Sequence, residues 1–266
     1  MVADKMSILT PNIYWNAFQN EISGFSLPDS LHLMRTGEDP HPICTLAAAE
    51  LQKHLRNQTE IPHNFGFDDT MNTVVIGKMF GVLVVRNAKG EVGYLAGFSG
   101  KLAGSFHHKG FVPPVFDSLT EGSFLNLGMQ ELTRINNRFK SIDQSSPEGA
   151  AAAEKLKEDR KTFSVNLQNQ LFDQFVLCNS LGQEMSLRMI FNPGNLEGKN
   201  PPAGAGECAG IKLLQYAFQH QLKPIALAEF WWGKSPKSPY WKHGEFYKCC
   251  EEKCSPILNF MLGADK

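Results

Sequence analysis

The run PIALAEFWW, residues 224–232, constrains this chain more than any other stretch. It is nearly all apolar, yet far short of the roughly 20 residues needed to cross a bilayer. A continuous apolar run of this length reads as a strand buried between layers. Glu229, charged and inside that strand, needs a partner or a functional reason to be there. Successive strand residues face opposite ways, so Trp231 and Trp232 divide between the core and a pocket rim, with Glu229 on the face of Trp231. Upstream, CAGIKLLQYAFQHQ places Ile211, Leu214, Tyr216 and Phe218 in a helix entered from a Gly-rich turn. Downstream, SPILNFML reads as a closing helix with Pro256 near its first turn.

The chain as a whole is that of an ordinary globular protein. Its 266 residues are 42% hydrophobic, 11% aromatic and 20% charged, which excludes a disordered tail, a coiled coil and a collagen-like fibre. At roughly 100–200 residues per domain, this length means one elaborated domain or two small ones. A net charge of −1 argues against a strongly basic nucleic-acid binder and leaves room for a local basic patch. The opening MVADKMSILTPN is not followed by an apolar stretch, so no secretory signal is expected, nor a membrane span, and the cytosol is the expected compartment. There the six cysteines should be thiols, and a cluster of them reads first as metal or catalytic.

HPICTLAAAELQKHLRNQ has a helical period, with Leu46, Ala47, Leu51 and Leu55 on one face and Glu50, Lys53 and Arg56 turned away. GVLVVRN and EVGYLAGF, joined through AKG, form a hairpin, and SGKLAGSFHHKGFVPPVFD is a long ordered loop. Residues 122–143 and 148–172 read as helices, the second a charged, solvent-washed arm. DQFVLCNSLGQEMSLRMIF suggests a second hairpin around Asn179 to Gly182, and NPGNLEGKNPPAGAG a linker. The expected organisation is a core formed by residues 38–121 and 173–266, with residues 122–172 inserted as a helical arm.

The chemistry concentrates in Cys208, Cys249, Cys250 and Cys254, with His243 and Glu245 just before the second group. Zinc takes three or four soft or borderline ligands, and C-x3-C at Cys250 and Cys254 supplies two from one helical turn. Cys208, at the mouth of a helix on the other side of one strand, supplies a third; His243 and Cys249 are further candidates. The same helix mouth favours a thiolate for redox or covalent chemistry. The plain alternative is that these are small buried residues and incidental thiols.

Helix, hairpin, helix with a ligand at its start, strand, and helix opening with cysteines is the order of a cytidine-deaminase-like core. The fold expected is therefore α/β or α+β, specifically a cytidine-deaminase-like three-layer sandwich carrying the arm. In deaminases a Glu two residues after the first ligand shuttles protons to and from the zinc water. Here Glu207 precedes Cys208, position 210 is Gly, and the second motif is C-x3-C, so Glu207 and Glu245 are the remaining catalytic candidates.

HPICTLAAAELQKHL, GKMFGVLVVRNAKGEVGYLAGFSGKLAG, HHKGFVPPVFD, PPAGAGECAGIKLLQYAFQHQLKPIALAEFWWGKSPKS and HGEFYKCCEEKCSPILNFML carry a family resemblance. Together they resemble the long region preceding the catalytic domain in a bacterial subgroup of RluA-type pseudouridine synthases, over residues 38–262. The aspartate motif of those enzymes, H-R-L-D-x-x-T-S-G, has no counterpart here. The resemblance implies an accessory part of an RNA-modifying enzyme, a fragment or a stand-alone relative. Structured RNA and a pseudouridine synthase catalytic domain are its implied partners. It also places a cysteine at 250 rather than at 249.

KSPKSPYWKHGEFYK offers Lys234, Lys237, Lys242 and Lys248 for phosphates and Tyr240, Trp241 and Tyr247 for stacking; a solvated loop with ordinary lysines is the alternative. Ser99, Lys101, His107, His108 and Asp117, with Glu229 and Trp231, are candidates for lining a pocket, although the loop members match no acyl-transfer spacing and core or turn duty is the better reading of them. The accessory role, with a structural zinc site, leads. A zinc-dependent deaminase-like hydrolase of a base or nucleotide is the first alternative. An interaction module that forms a homodimer through residues 148–172 is the second.

Overall fold

The computed structural model describes residues 13–68, 75–194, 200–237 and 240–263. The opening stretch, residues 195–199 of the linker and residues 238–239 of the basic segment lie outside these. The chain forms two compact units, Met1–Pro114 with Glu207–Cys250, and Val115–Gly206 with Glu251–Lys266.

The first unit is mixed α/β. Its elements are β1 (Asn16–Ala17), β2 (His32–Leu33), α1 (Pro42–Asn57), β3 (Lys78–Arg86) and β4 (Val92–Phe98). Among its described residues, the later elements of this unit are α5 (Ala209–Gln219), β7 (Lys223–Trp232) and β8 (Phe246–Tyr247). Among the described residues the sheet has six strands, ordered β1-β4-β3-β7-β2, with β8 also on β7. The hairpin β3–β4 is antiparallel, β3 is antiparallel to β7, and β2 runs parallel to β7, so the sheet is mixed.

Strand alternation explains how two helices cover this sheet. Phe80, Val82, Val84, Ala96, Phe98, Ala228, Phe230 and Trp232 join Ile43, Ala47 and Leu51 of α1 in one apolar core. Their neighbours in register, Gly81 opposite Gly97 and Glu229, turn to the other face, where α5 lies. There the absence of side chains matters. A Cβ at Gly81 would stand 3.0 Å from Leu213 Cδ1, and one at Gly97 would stand 3.1 Å from Leu213 Cγ. The two glycines let α5 seat directly on the strands.

Glu50 corrects one expectation. The helical period turns it outward, yet it is only 6% exposed. Its Oε1 accepts the backbone N–H groups of Gln19 at 2.9 Å and Asn20 at 3.2 Å, and the Asn20 side-chain amide at 2.9 Å. Period alone does not reveal a partner some 30 positions upstream. Glu50→Ala orphans these donors and is expected to destabilise the unit by about 2–3 kcal/mol in denaturant unfolding. An unchanged midpoint would show that the segment is held by other contacts.

The second unit holds α2 (Phe124–Ser141), α3 (Pro147–Gln174), β5 (Val176–Cys178), β6 (Glu184–Ser186), α4 (Leu187–Phe191) and α6 (Glu251–Leu262). The arm read from the sequence is thus the middle of a larger unit that also takes in the second hairpin and the closing helix. Serines cap both long helices, Ser123 accepting from Asn126 N and Ser146 from Gly149 N. Gly128, Leu132 and Ile135 of α2 and Ala153, Leu167 and Phe172 of α3 are the buried residues of these two helices, and most of α3 is solvated. A bidentate pair, Arg188 to Asp173 at 2.8 and 2.7 Å, joins α4 to α3. Helix α6 begins at Glu251, earlier than Pro256 suggested, so that proline lies inside it. Glu251 and Glu252 in the first turn complement the helix dipole and favour the earlier start. No helix among the described residues is long and apolar enough to cross a membrane.

Candidate metal centre and adjoining pocket

Cys208 is the N-cap residue of α5, and its side chain makes no capping hydrogen bond. The cap comes from elsewhere. Ser99 Oγ accepts Ala209 N–H at 3.2 Å, and Glu229 Oε1 accepts Gly210 N–H at 2.9 Å. A side chain at Gly210 would press on Leu227 Cδ2 at 3.1 Å and touch Glu229 and Cys249. With capping assigned to Ser99 and Glu229, the Cys208 sulfur is left to other duty.

That duty is shared with Cys250 and Cys254, one helical turn apart at the mouth of α6. Within the first unit the Cys208 and Cys250 sulfurs lie within 4.8 Å of one another, and Cys254 follows Cys250 at C-x3-C spacing. A tetrahedral zinc with Zn–S bonds of about 2.3 Å sets its sulfurs about 3.8 Å apart, so the group closes on an ion by modest side-chain rotation. Three thiols are a soft donor set that suits zinc. Cys254 is buried, Cys208 half-buried and Cys250 exposed, so the group is reachable from solvent on one side.

Cys249 and His243 are occupied differently. The Cys249 thiol pairs with the Glu229 carboxyl; burial first and that carboxyl second push it well above the ordinary thiol range. Burial likewise raises Glu229, while the Gly210 N–H and Cys249 pull it back. His243 belongs to the opposite face of β7: its Nδ1 accepts Gly233 N–H at 3.0 Å, and its ring lies 4.5 Å from that of Trp232. Burial, then Arg56, lowers its pKa. Neither Glu207 nor Glu245 joins the sulfurs within that 4.8 Å group. The Glu207 carboxylate acts on Lys78 and Lys212, and exposed Glu245 gives its carbonyl to Trp231 N–H at 3.0 Å.

A cavity of about 560 Å³ opens in this unit, with Ser99, Lys101 and Trp231 in its wall. The other loop candidates serve turns. His108 Nε2 meets Leu102 O at 2.8 Å, His107 N–H donates to Ser105 Oγ, and Asp117 Oδ1 accepts Leu119 N–H. Trp232 lies on the other face, in the core, as strand alternation requires.

Sequence reasoning missed Lys212. Only 2% exposed, it donates to Phe98 O at 2.8 Å and Gly100 O at 2.9 Å and lies over the rings of Phe98 and Phe106. Burial lowers its pKa to about 8, with Lys78 adding to the drop and Glu207 and Cys208 opposing it. The signal was a single cation in a helix whose residues 209–217 are all buried.

In the basic segment Lys234, Lys237 and Lys242 are exposed, and Tyr240 is 60% exposed. Trp241 and Tyr247 are engaged internally. Trp241 stacks on Trp231 at 5.6 Å, and the Tyr247 hydroxyl donates to Tyr240 O and accepts Lys242 N–H. No family model, curated protein or solved structure matches the chain.

Proposed function

We propose that this chain is a zinc-binding accessory module of RNA modification, of the kind that precedes the catalytic domain in RluA-type pseudouridine synthases. The observation that carries the metal is the convergence of Cys208 and Cys250 within 4.8 Å, with Cys254 one helical turn further along the chain. Those residues would hold the ion, whose contribution is structural cross-linking. The RNA assignment rests on the motifs that resemble that family. It is supported by the exposed Lys234, Lys237 and Lys242 beside the exposed ring of Tyr240, a set that suits phosphates and one stacked base. The module positions structured RNA or organises a catalytic domain in the cytosol. The purified chain is expected to bind structured RNA and to convert no uridine to pseudouridine. Replacing the three lysines with glutamine together should reduce the slope of log affinity against log salt by about 2–3. Uridine conversion by this chain alone, or an unchanged slope, overturns the assignment.

A second reading, a cytidine-deaminase-like zinc hydrolase of a base or nucleotide, is favoured by one observation. Among the described residues the Cys208 and Cys250 sulfurs converge, with Cys254 at C-x3-C spacing as a third ligand and no fourth, and the buried Glu229 carboxyl sits at the first turn of the helix that Cys208 opens. Three protein ligands with one open position is the pattern of catalytic zinc. The layering, with α1 and α5 on opposite faces of a sheet begun by an antiparallel hairpin, agrees with it. X-ray absorption of the zinc-loaded protein separates the readings. Three sulfurs and one water oxygen favour the hydrolase; four protein ligands reject it.

A further inference from the structure

The wall of the 560 Å³ cavity has a composition that the metal centre does not explain. Among the described residues it includes Lys78, Lys101, His63 and Ser99, together with apolar Ile76 and the buried Trp231; no carboxylate lines it, and the nearby one of Glu207 acts on Lys78. In a chain of net charge −1, two lysines against the single nearby carboxylate of Glu207 are a local excess of positive charge. The hydrogen-bonding groups agree. His63 Nδ1 accepts Phe65 N–H at 3.1 Å, so in the neutral ring the proton is on Nε2, a donor. Burial and then Lys78 lower the pKa of His63, which keeps that ring neutral at pH 7. Ser99 Oγ already accepts Ala209 N–H, so its hydroxyl proton is its remaining offer. The Trp231 indole N–H is spent on Lys234 O at 3.3 Å and Trp241 stacks on the ring, so Trp231 offers the cavity only the apolar ring surface that Trp241 leaves uncovered. Lys78, His63, Ser99 and Lys101 therefore present donors and cations beside a flat apolar wall. The volume falls within the roughly 300–1,000 Å³ of small-molecule sites.

We infer that this cavity binds a nucleotide, its phosphate held by Lys78 and Lys101 with Ser99 and His63 as further donors, and its base against the apolar wall at Ile76 and Trp231. The inference deepens the RNA reading and rests on it for the choice of a nucleotide over other phosphate esters. The nucleotide can be free or the terminal residue of an RNA strand, since both present the same phosphomonoester. The α5 amides contribute little here, because Ala209 and Gly210 donate to Ser99 and Glu229.

The test is titration of the full chain with uridine 5′-monophosphate, uridine, and short oligouridines with and without a 5′-phosphate, followed by tryptophan fluorescence and calorimetry. Saturable binding of the monophosphate, at least tenfold tighter than uridine and weakened at least tenfold in Lys78→Gln/Lys101→Gln, is expected. A 5′-phosphorylated oligouridine that competes for the site identifies a strand end as its occupant; one that does not compete identifies the free nucleotide. No saturation by the monophosphate, equal binding of uridine, or undiminished binding by the double variant overturns the inference. Both lysines lie outside the Lys234, Lys237 and Lys242 set, so structured-RNA binding that survives with no mononucleotide binding removes the inference alone. Mononucleotide binding without structured-RNA binding removes the accessory reading and leaves the pocket.

Discussion

Changing Cys250 to serine is expected to take bound zinc from about one equivalent per chain to none. Cys250 is the ligand to change because its side chain is exposed, so the substitution leaves the core alone; Cys254 is buried, and its loss would mix packing with ligation. Cys249→Ser is the matched control. Its sulfur faces Glu229 and lies outside the converging group, so that variant should keep its metal. At a zinc concentration 1,000 times the dissociation constant, linkage adds about 4 kcal/mol to the folded state. For a chain of this size that corresponds to a fall in Tm of roughly 10 °C in Cys250→Ser. Elemental analysis and calorimetry read the two effects separately. Zinc retained in Cys250→Ser, or wild type free of metal after purification without chelator, would remove the site.

The second large effect is a rise in stability with pH that depends on Lys212. In the unfolded chain this amine titrates near its ordinary 10.5, and in the folded protein near 8. Between those values the unfolded state binds the proton and the folded state does not, so stability climbs as pH rises through the interval. Below about 8 both states are protonated, and the full cost of burying the charge is present, about 3 kcal/mol for a gap of this size. Lys78, also lowered by burial, contributes in the same direction, with Glu207 opposing. The measurement is therefore a difference: wild-type stability against pH minus that of Lys212→Met, by chemical denaturation from pH 7 to 10.5. In Lys212→Met the loss of donors to Phe98 O and Gly100 O is a constant offset, and the pH-dependent part should shrink by about 3 kcal/mol. Parallel curves would show that Lys212 titrates normally in the folded protein.

Much of the scaffold was legible because it is written in local pattern. The alternation and turn residues of 78–98, the apolar run at 224–232 and the helical period at 209–219 each specify an element without help from the remaining chain. The cysteine group was legible for a related reason. Cys250 and Cys254 are set by helical spacing, and Cys208 stands at the mouth of a helix whose start the glycines mark. Relations across long separations were not legible. Glu50 looks solvent-facing until Gln19 and Asn20 reach it, and Lys212 looks like an ordinary helix former until the carbonyls of Phe98 and Gly100 receive its ammonium. His243 looks like a ligand by its nearness in sequence to Cys249, but strand β7 puts it on the Trp232 side of the sheet. Lys78 opens its strand as an unremarkable residue, and only the folded unit sets it beside Lys101, Ser99 and His63.

The capping of α5 by Ser99 and Glu229 has a consequence for how an ion is acquired. In small zinc domains the ligands are brought together by the metal itself, so the ordering entropy of the chain is charged to the binding event. Here the first turn of α5 is fixed by hydrogen bonds to Ser99, just after β4, and to Glu229 of β7, whether or not an ion is bound. Cys208 is thereby held in place beforehand, and capture requires little more than rotamer adjustment and the loss of thiol protons. If it takes zinc as proposed, such a socket would exchange its ion on the timescale of ligand protonation and diffusion rather than of folding, and its occupancy would follow the local supply of metal.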